Sequence, residues 1–233
     1  MQGRQLKDLL YEQVARVGSA LASPRRLEIL ELLAQGEKSV ERLTAELGIS
    51  VKSASAHLKA LKAACLVQFT RHGKYRVYQL RSDAVAQLGV ALRGVACEHL
   101  QEIQSALHKL LAEPASLQGT GRRELLARVR RGEAVMIDVR PLDEFNHAHF
   151  AYARSMPLAE LERRLLELPR DRPIVAYCRG PFCLLSDAAV HRLLQLGFDA
   201  HKLSDGVSEW RAQGLPLRRT APRGAAPGVG HSP

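Results

Sequence analysis

The chain has 233 residues, 46 % of them hydrophobic, which is enough to bury one or two ordinary cores. The formal net charge is +10, and residues 1–112 hold 16 Lys+Arg against 10 Asp+Glu, so the excess is heavier in the N-terminal half. A polyanionic partner would require such a bias, although charge alone serves solubility equally well. No apolar run reaches the about 18 residues of a membrane span, which excludes a spanning helix.

The polar start from Met1 to Asp8 lacks a signal-peptide core, so the expected compartment is the cytoplasm. There the four cysteines, Cys65, Cys97, Cys178 and Cys183, are expected to be reduced or redox-active rather than structural.

Leu6, Leu9, Leu10, Val14 and Val17 recur at helical spacing over residues 5–20. Ser23-Pro24 reads as an N-cap followed by proline at the first helical position. The helix it opens, with Leu27, Ile29, Leu30, Leu32 and Leu33, ends before Gly36. A short helix from Val40 to Leu47 stops at Gly48, and Ser50 is placed to cap the next, Val51 to Ala64. Alternating strands follow, Leu66 to Thr70 and Tyr75 to Leu80, around a turn at His72-Gly73. Helices followed by a basic hairpin spell a winged helix-turn-helix.

In such motifs the second helix enters the major groove and its first residues reach the bases. Here that helix, Ser50 to Lys62, holds no acidic residue. Ala54, Leu58 and Leu61 fall on the core face. Lys52, Ser53, Ser55, His57 and Lys59 lie on or beside the outer face. Lysines can hold phosphates, and Ser and His can bond base edges. Arg71, Lys74 and Arg76 at the wing would add phosphate or minor-groove contacts. The competing reading is a solvated basic helix in a protein-interaction winged helix.

Residues 82–112 read as one long helix with Val85, Leu88, Leu92, Val95, Leu100, Ile103, Leu107 and Leu110. A helix that long beside a small domain calls for a partner, so it is expected to form a homodimer. Residues 113–121, with Pro114, Gly119 and Gly121, read as a linker. Beyond it, helices alternate with short apolar strands, Ala134 to Val139, Ile174 to Tyr177 and Asp199 to Leu203, the pattern of a parallel sheet. The expected fold class is therefore two domains. A mainly α winged helix-turn-helix occupies 1–112 and an α/β domain 122–217, with a disordered tail over 218–233.

Cys178 opens the run Cys178-Arg179-Gly180-Pro181-Phe182-Cys183 directly after the strand Ile174 to Tyr177 and before a helix from Leu184 to Leu196. A thiol on a tight loop between a strand and a helix N-terminus sits where amide N–H groups converge, and the helix dipole there favours an anion. That setting lowers a thiol pKa and suits a thiolate or a persulfide anion. Cys183 either resolves a persulfide on Cys178 or is a passive thiol facing the helix. Phosphoryl or arsenate chemistry on such a loop needs an arginine six positions after the cysteine, and position 184 is Leu.

The N-terminal stretches Pro24-Arg25-Arg26-Leu27-Glu28-Ile29-Leu30, His57-Leu58-Lys59-Ala60-Leu61 and Leu66-Val67, leading to Gly73-Lys74-Tyr75 and Tyr78, resemble the ArsR/SmtB family of dimeric winged-helix repressors. The resemblance covers about residues 5–110 and implies a homodimer that leaves its operator on binding a signal. The family's thiolate pair would fall near Ser39 to Thr44, where no cysteine stands. His99 and Glu102 have the spacing of half a family zinc site, but Ala86 and Leu88 occupy the positions of the other half. No metal and no cofactor is therefore expected. Cys65 and Cys97 do not match the family's sulfur-sensing pair and are expected to fill core space.

The second half is similar to a rhodanese homology domain. The matching segments are Ile137-Asp138-Val139-Arg140 with Asp143-Glu144-Phe145, then His149-Phe150, Met156-Pro157-Leu158, Tyr177-Cys178-Arg179-Gly180, Gly206-Val207, Glu209-Trp210 and Gly214-Leu215-Pro216. That resemblance places Cys178 at the nucleophile position. The loop N–H groups and Arg179 would then stabilise the sulfur anion. Asp138, Arg140 and Glu144 are expected to form a structural ion-pair network, with His149 and Trp210 in packing roles.

Together these features predict a DNA-binding repressor that answers sulfane sulfur through Cys178. Its partners would be a double-stranded operator, a second copy of the chain and a donor such as polysulfide, persulfide or thiosulfate, with no membrane. The alternative is a working sulfurtransferase whose DNA-binding domain serves autoregulation.

Overall fold

The computed structural model describes residues 2–111 and 122–220. The linker read at 113–121 and the tail from residue 221 lie outside the described residues.

The first unit opens with α1 (Gln2–Leu21) and α2 (Pro24–Ala34), the latter with proline in its first turn after Ser23. A two-residue strand, β1 (Lys38–Ser39), leads into α3 (Val40–Leu47). Ser39 caps α3 by accepting from the Arg42 N–H, and Gly48 ends it in a left-handed conformation, φ 62°. Ser50 caps α4 (Val51–Ala63) in the same way, accepting from Ser53 N–H. The wing is β2 (Val67–His72) and β3 (Tyr75–Leu80), antiparallel and joined through Gly73-Lys74. β1 pairs with β3, Lys38 opposite Tyr78, to give a three-stranded sheet in the order β1-β3-β2. One core holds this unit: Ile29, Leu33, Leu43, Leu58, Leu61, Val67 and Tyr78 are all buried.

Two helices follow, α5 (Asp83–His99) and α6 (Gln101–Leu111), in place of the single helix expected over 82–112. The break lies at Leu100, which is extended, φ −98° and ψ 111°. The apolar spacing does not announce it. Leu100 stands eight residues after Leu92 and Ile103 eleven, both positions on one helical stripe, so the pattern runs on through the break. The break also separates His99 from Glu102, so the two do not share one helix face.

The second unit starts with α7 (Arg122–Arg130), β4 (Val135–Asp138), α8 (Leu142–His147), β5 (His149–Phe150) and β6 (Arg154–Ser155). After 3₁₀ turns over Leu158–Glu167 come β7 (Ile174–Tyr177), α9 (Leu185–Gln195), β8 (Ala200–Lys202), α10 (Val207–Ala212) and β9 (Leu217–Arg218). β6-β4-β7-β8 form a parallel sheet, and β5 pairs antiparallel with β9. Arg218, where the sequence suggested the tail begins, is thus still in a strand. Alternate side chains serve opposite faces. Val135, Ile137, Ile174 and Ala176 pack with Ala189, Val190 and Leu193 of α9, while Met136, Val175 and Tyr177 pack with Leu125 of α7 and Trp210 of α10. Burial on both faces is why these strands read as continuous apolar runs.

The units are in contact. α10 lies against α5, and the loop after β7 meets α3 and α5.

Candidate reactive loop and nucleic-acid interface

The order β6-β4-β7-β8 means that the chain leaves β4 toward one side and β7 toward the other. The switch point thus falls at the carboxyl ends of β4 and β7, the usual place for a site in an open α/β sheet. Cys178 stands there, 1 % exposed, one residue beyond β7. A disulfide joins it to Cys183, with the α-carbons 6.3 Å apart. The loop closes on itself through Cys183 N–H donating to Gly180 O at 3.1 Å. Gly180 has φ 157°, and Gly206 at the start of α10 lies directly against the loop backbone. Pro181 and Cys183 are half-buried, and Phe182 is exposed.

Arg179 is engaged by carboxylates of both units. Its guanidinium donates to both carboxylate oxygens of Glu144, at 2.9 and 2.6 Å, and to Glu46 Oε2 at 2.6 Å. Two carboxylates, one from each unit, thus hold Nε and Nη2 of Arg179. Burial lowers the Arg179 pKa, but Glu144 and Glu46 outweigh it and leave the guanidinium more basic than usual. Burial likewise pushes the Glu144 carboxyl up, and Arg179 with Lys38 reverses this and holds it below the ordinary carboxylate range. Lys38 Nζ lies 2.8 Å from Glu144 and 3.4 Å from Glu46.

On the other flank the Glu209 carboxylate faces Gly180 and accepts from Gly206 N–H at 2.9 Å. Arg93 of α5 donates to Glu209 and, at 2.9 Å, to Glu31. Burial raises the Glu31 carboxyl pKa, which Arg93 only partly offsets. The Arg93 guanidinium also lies over the Phe182 ring, 5.7 Å from its centre.

Of the network expected from Asp138, Arg140 and Glu144, Asp138 and Arg140 pair with each other, whereas Glu144 pairs with Lys38 and Arg179. Arg140, fully buried, donates to Asp138 at 2.5 Å, to the Ala148 carbonyl at 2.7 Å and to Gln35 of α2 at 2.7 Å. His149 bonds the Phe145 carbonyl and stacks on that ring, and Trp210 is completely buried. The sequence did not point to Glu46 and Arg93 as neighbours of the loop, nor to Lys38 and Gln35 as partners of Glu144 and Arg140, because each lies in the other unit.

Cys65 is exposed rather than core-filling: its φ of 59° ends α4 in the left-handed region. Cys97 is half-buried and lines a cavity of about 320 Å³ with Val90, Gly94, Leu107 and Pro181. Both are free thiols. Among the described residues no cluster of three metal-ligating side chains occurs, and no helix is long and apolar enough to cross a membrane.

On the winged unit, Ala54, Leu58 and Leu61 are buried, while Lys52, Ser55 and Lys59 are exposed and Ser53 and His57 half-exposed. Arg71, Lys74 and Arg76 are exposed on the wing. Arg76 and Lys62 both lie against the Phe69 ring, 5.2 and 4.6 Å from its centre.

The fold and the loop define a winged helix-turn-helix DNA-binding protein carrying a rhodanese-like domain. The description "Bacterial regulatory protein, arsR family" matches residues 23–68, and "Rhodanese-like domain" matches residues 122–213. The HTH-type transcriptional regulator Rv0324 of Mycobacterium tuberculosis is 44 % identical over 94 % of this chain and 96 % of its own length. The biofilm growth-associated repressor of Agrobacterium fabrum is 39 % identical over 36 % of this chain and 73 % of its own length. A solution structure described as the homodimeric winged helix-turn-helix DNA-binding domain of Mb0332 from Mycobacterium bovis is 47 % identical. It covers 41 % of this chain and 89 % of its own, with a TM-score of 0.39. The chain belongs to the ArsR family of bacterial transcriptional regulators, in a form that carries a C-terminal rhodanese-like domain.

Proposed function

We propose that this regulator is a homodimeric, cytoplasmic repressor that takes sulfane sulfur on Cys178 and changes its operator affinity in response. The observation that carries the reading is the Cys178–Cys183 pair, set at the carboxyl end of a central parallel strand and touching the DNA-binding unit through Arg179.

The chemistry needs only a donor R–S–SH. The Cys178 thiolate attacks the outer donor sulfur, the donor S–S bond breaks, and RS⁻ leaves and takes up a proton. Cys178 is then a persulfide. The Cys183 thiolate attacks Cys178 Sγ, hydrosulfide leaves, and the disulfide closes. The donor is the oxidant for the two thiols, so no other redox partner enters.

Lys52, Ser53, Ser55, His57 and Lys59 would face the major groove, with Arg71, Lys74 and Arg76 on the flanking backbone. Exposed apolar side chains, Leu6, Leu9, Leu10 and Val14 on α1 and Leu88, Leu92 and Val95 on α5, support dimerisation, as does the homodimer described for the Mycobacterium bovis relative.

The test is fluorescence anisotropy of the chain's own promoter duplex at fixed salt, because phosphate contacts make affinity salt-dependent. Dithiol protein is compared before and after inorganic polysulfide, with Cys178→Ser in parallel. Weakened binding in the wild type alone is expected. Unchanged binding, with Cys178 modified by mass spectrometry, would instead favour a sulfurtransferase whose DNA-binding unit answers another signal.

A further inference from the structure

The reactive loop is itself the contact surface between the two units. From the structure we infer that Arg179 is a positioning residue that reports the sulfur state of the Cys178–Cys183 loop to α3 through Glu46. This inference rests on the proposed sulfur response and names the route by which it reaches DNA.

Three observations support it. The first is adjacency. Arg179 directly follows Cys178, so its backbone moves with any rearrangement of the loop that the disulfide closes. The second is commitment. Arg179 and Glu46 are each only 15 % exposed and 2.6 Å apart, and Glu144 fixes the other edge of the guanidinium. A bidentate arginine held between two carboxylates transmits a change of orientation, because its fork pairs only in a narrow geometry. The third is the receiving element. Glu46 lies in the last turn of α3, which packs on the recognition helix α4. Glu46 also holds Arg42 at 2.6 Å and Lys38 at 3.4 Å, so withdrawing Arg179 leaves a redistributed charge cluster on α3 rather than an isolated loss.

A second arm runs from Gly180 through Glu209 to Arg93 on α5. The loop is thus gripped from both the recognition side and the dimer side of the winged unit. Coupling between sites requires one element with two arrangements that both sites bias. The loop, open as a dithiol or closed as a disulfide, is that element.

The experiment uses the full chain, as dithiol and as disulfide, with hydrogen exchange of Val40–Leu47 and operator Kd read together. In the wild type both should change between the two loop states. In Glu46→Gln, mass spectrometry should still find Cys178 and Cys183 joined after polysulfide. The exchange difference at α3 should vanish, and the ratio of the two operator Kd values should fall to within about twofold of one. A merely structural Glu46 would alter both loop states alike and leave that ratio unchanged, which overturns the inference. So would α3 exchange that ignores the loop state in the wild type. If α3 responds through Glu46 while operator affinity does not, the route stands and the repressor reading falls. Should Glu46→Gln fail to fold, Arg179→Gln is read by the same two measurements, since Glu46 then keeps Arg42 and Lys38.

Discussion

The α-carbon of Gly206 rests on the backbone of Arg179. A β-carbon built on Gly206 would overlap the Arg179 carbonyl and come within 2.6 Å of Gly180 N, so the start of α10 and the reactive loop can approach this closely only at a glycine. These neighbours are backbone atoms, which cannot swing aside as a flexible side-chain end would. Gly206→Ala should therefore displace the loop between Arg179 and Gly180. The expected cost is about 1–3 kcal/mol in urea unfolding, the range for overpacking. Slower persulfide formation on Cys178, followed by mass spectrometry, should accompany it. Normal stability with normal persulfidation would show that α10 and the loop are less tightly apposed than this approach requires.

Lys38 has a side chain only 1 % exposed and meets Glu144, which is 0 % exposed. A buried ion pair is weak evidence for stability, but removing one partner strands the other. Lys38→Met keeps much of the volume and leaves Glu144 and Glu46 sharing Arg179 without their lysine. The loss should be about 1–3 kcal/mol by urea denaturation, because Arg179 still pairs Glu144. The double variant Lys38→Met with Glu144→Gln should recover part of it. Additive losses in that cycle would mean that the two side chains do not interact.

Glu144 also sets an acid limit. Burial opposes ionisation, yet Arg179 and Lys38 hold its folded-state pKa below the ordinary carboxylate value. The unfolded chain then binds the proton more readily than the folded one. The stabilisation is complete above the unfolded pKa of about 4.3 and is lost as pH falls through the folded value. Wild-type stability should accordingly decline as pH is lowered below about 5. Glu144→Gln should be less stable at neutral pH and show a shallower decline. Parallel pH profiles for the two proteins would contradict this assignment.

What was legible in the sequence divides by range. Pro24 at a helix start, Gly48 at a helix end and Ser50 as a cap are local signals, and each element they mark is present. The apolar runs around Ile137 and Val175 read as buried parallel strands because both sheet faces are covered. β1 escaped because two residues, Lys38 and Ser39, carry no periodicity. The break at Leu100 was hidden because Leu92, Leu100, Ile103 and Leu107 keep helical spacing across it. The surroundings of Arg179 were illegible for a different reason: Glu46 lies 133 positions away, and a contact between two units leaves no trace in the spacing of either.

The proposed DNA face predicts two kinds of loss. Lys52 and Lys59 are exposed and lack an acidic neighbour on α4, so each suits a phosphate. Lys52→Ala or Lys59→Ala should weaken binding about equally on all sequences and lower the salt slope of log K by about 0.9 for each phosphate no longer neutralised. Ser53 sits in the first turn of α4, where base edges come within reach, and His57 lies one turn further on, at the middle of the helix. His57→Ala should cost about 1–3 kcal/mol on the cognate duplex and relax preference at one base position. On the wing the effects should be unequal. Arg76 lies against Phe69 and shares that ring with Lys62, whereas Arg71 opposite it in the hairpin lies over no ring among the described residues. A guanidinium on an aromatic face is partly committed to cation–π attraction. Arg71→Ala should thus reduce the salt slope more than Arg76→Ala, while Arg76→Ala should cost more in folding stability. Equal slopes for the two variants, measured by anisotropy titration at several salt concentrations, would rule out this division of labour on the wing.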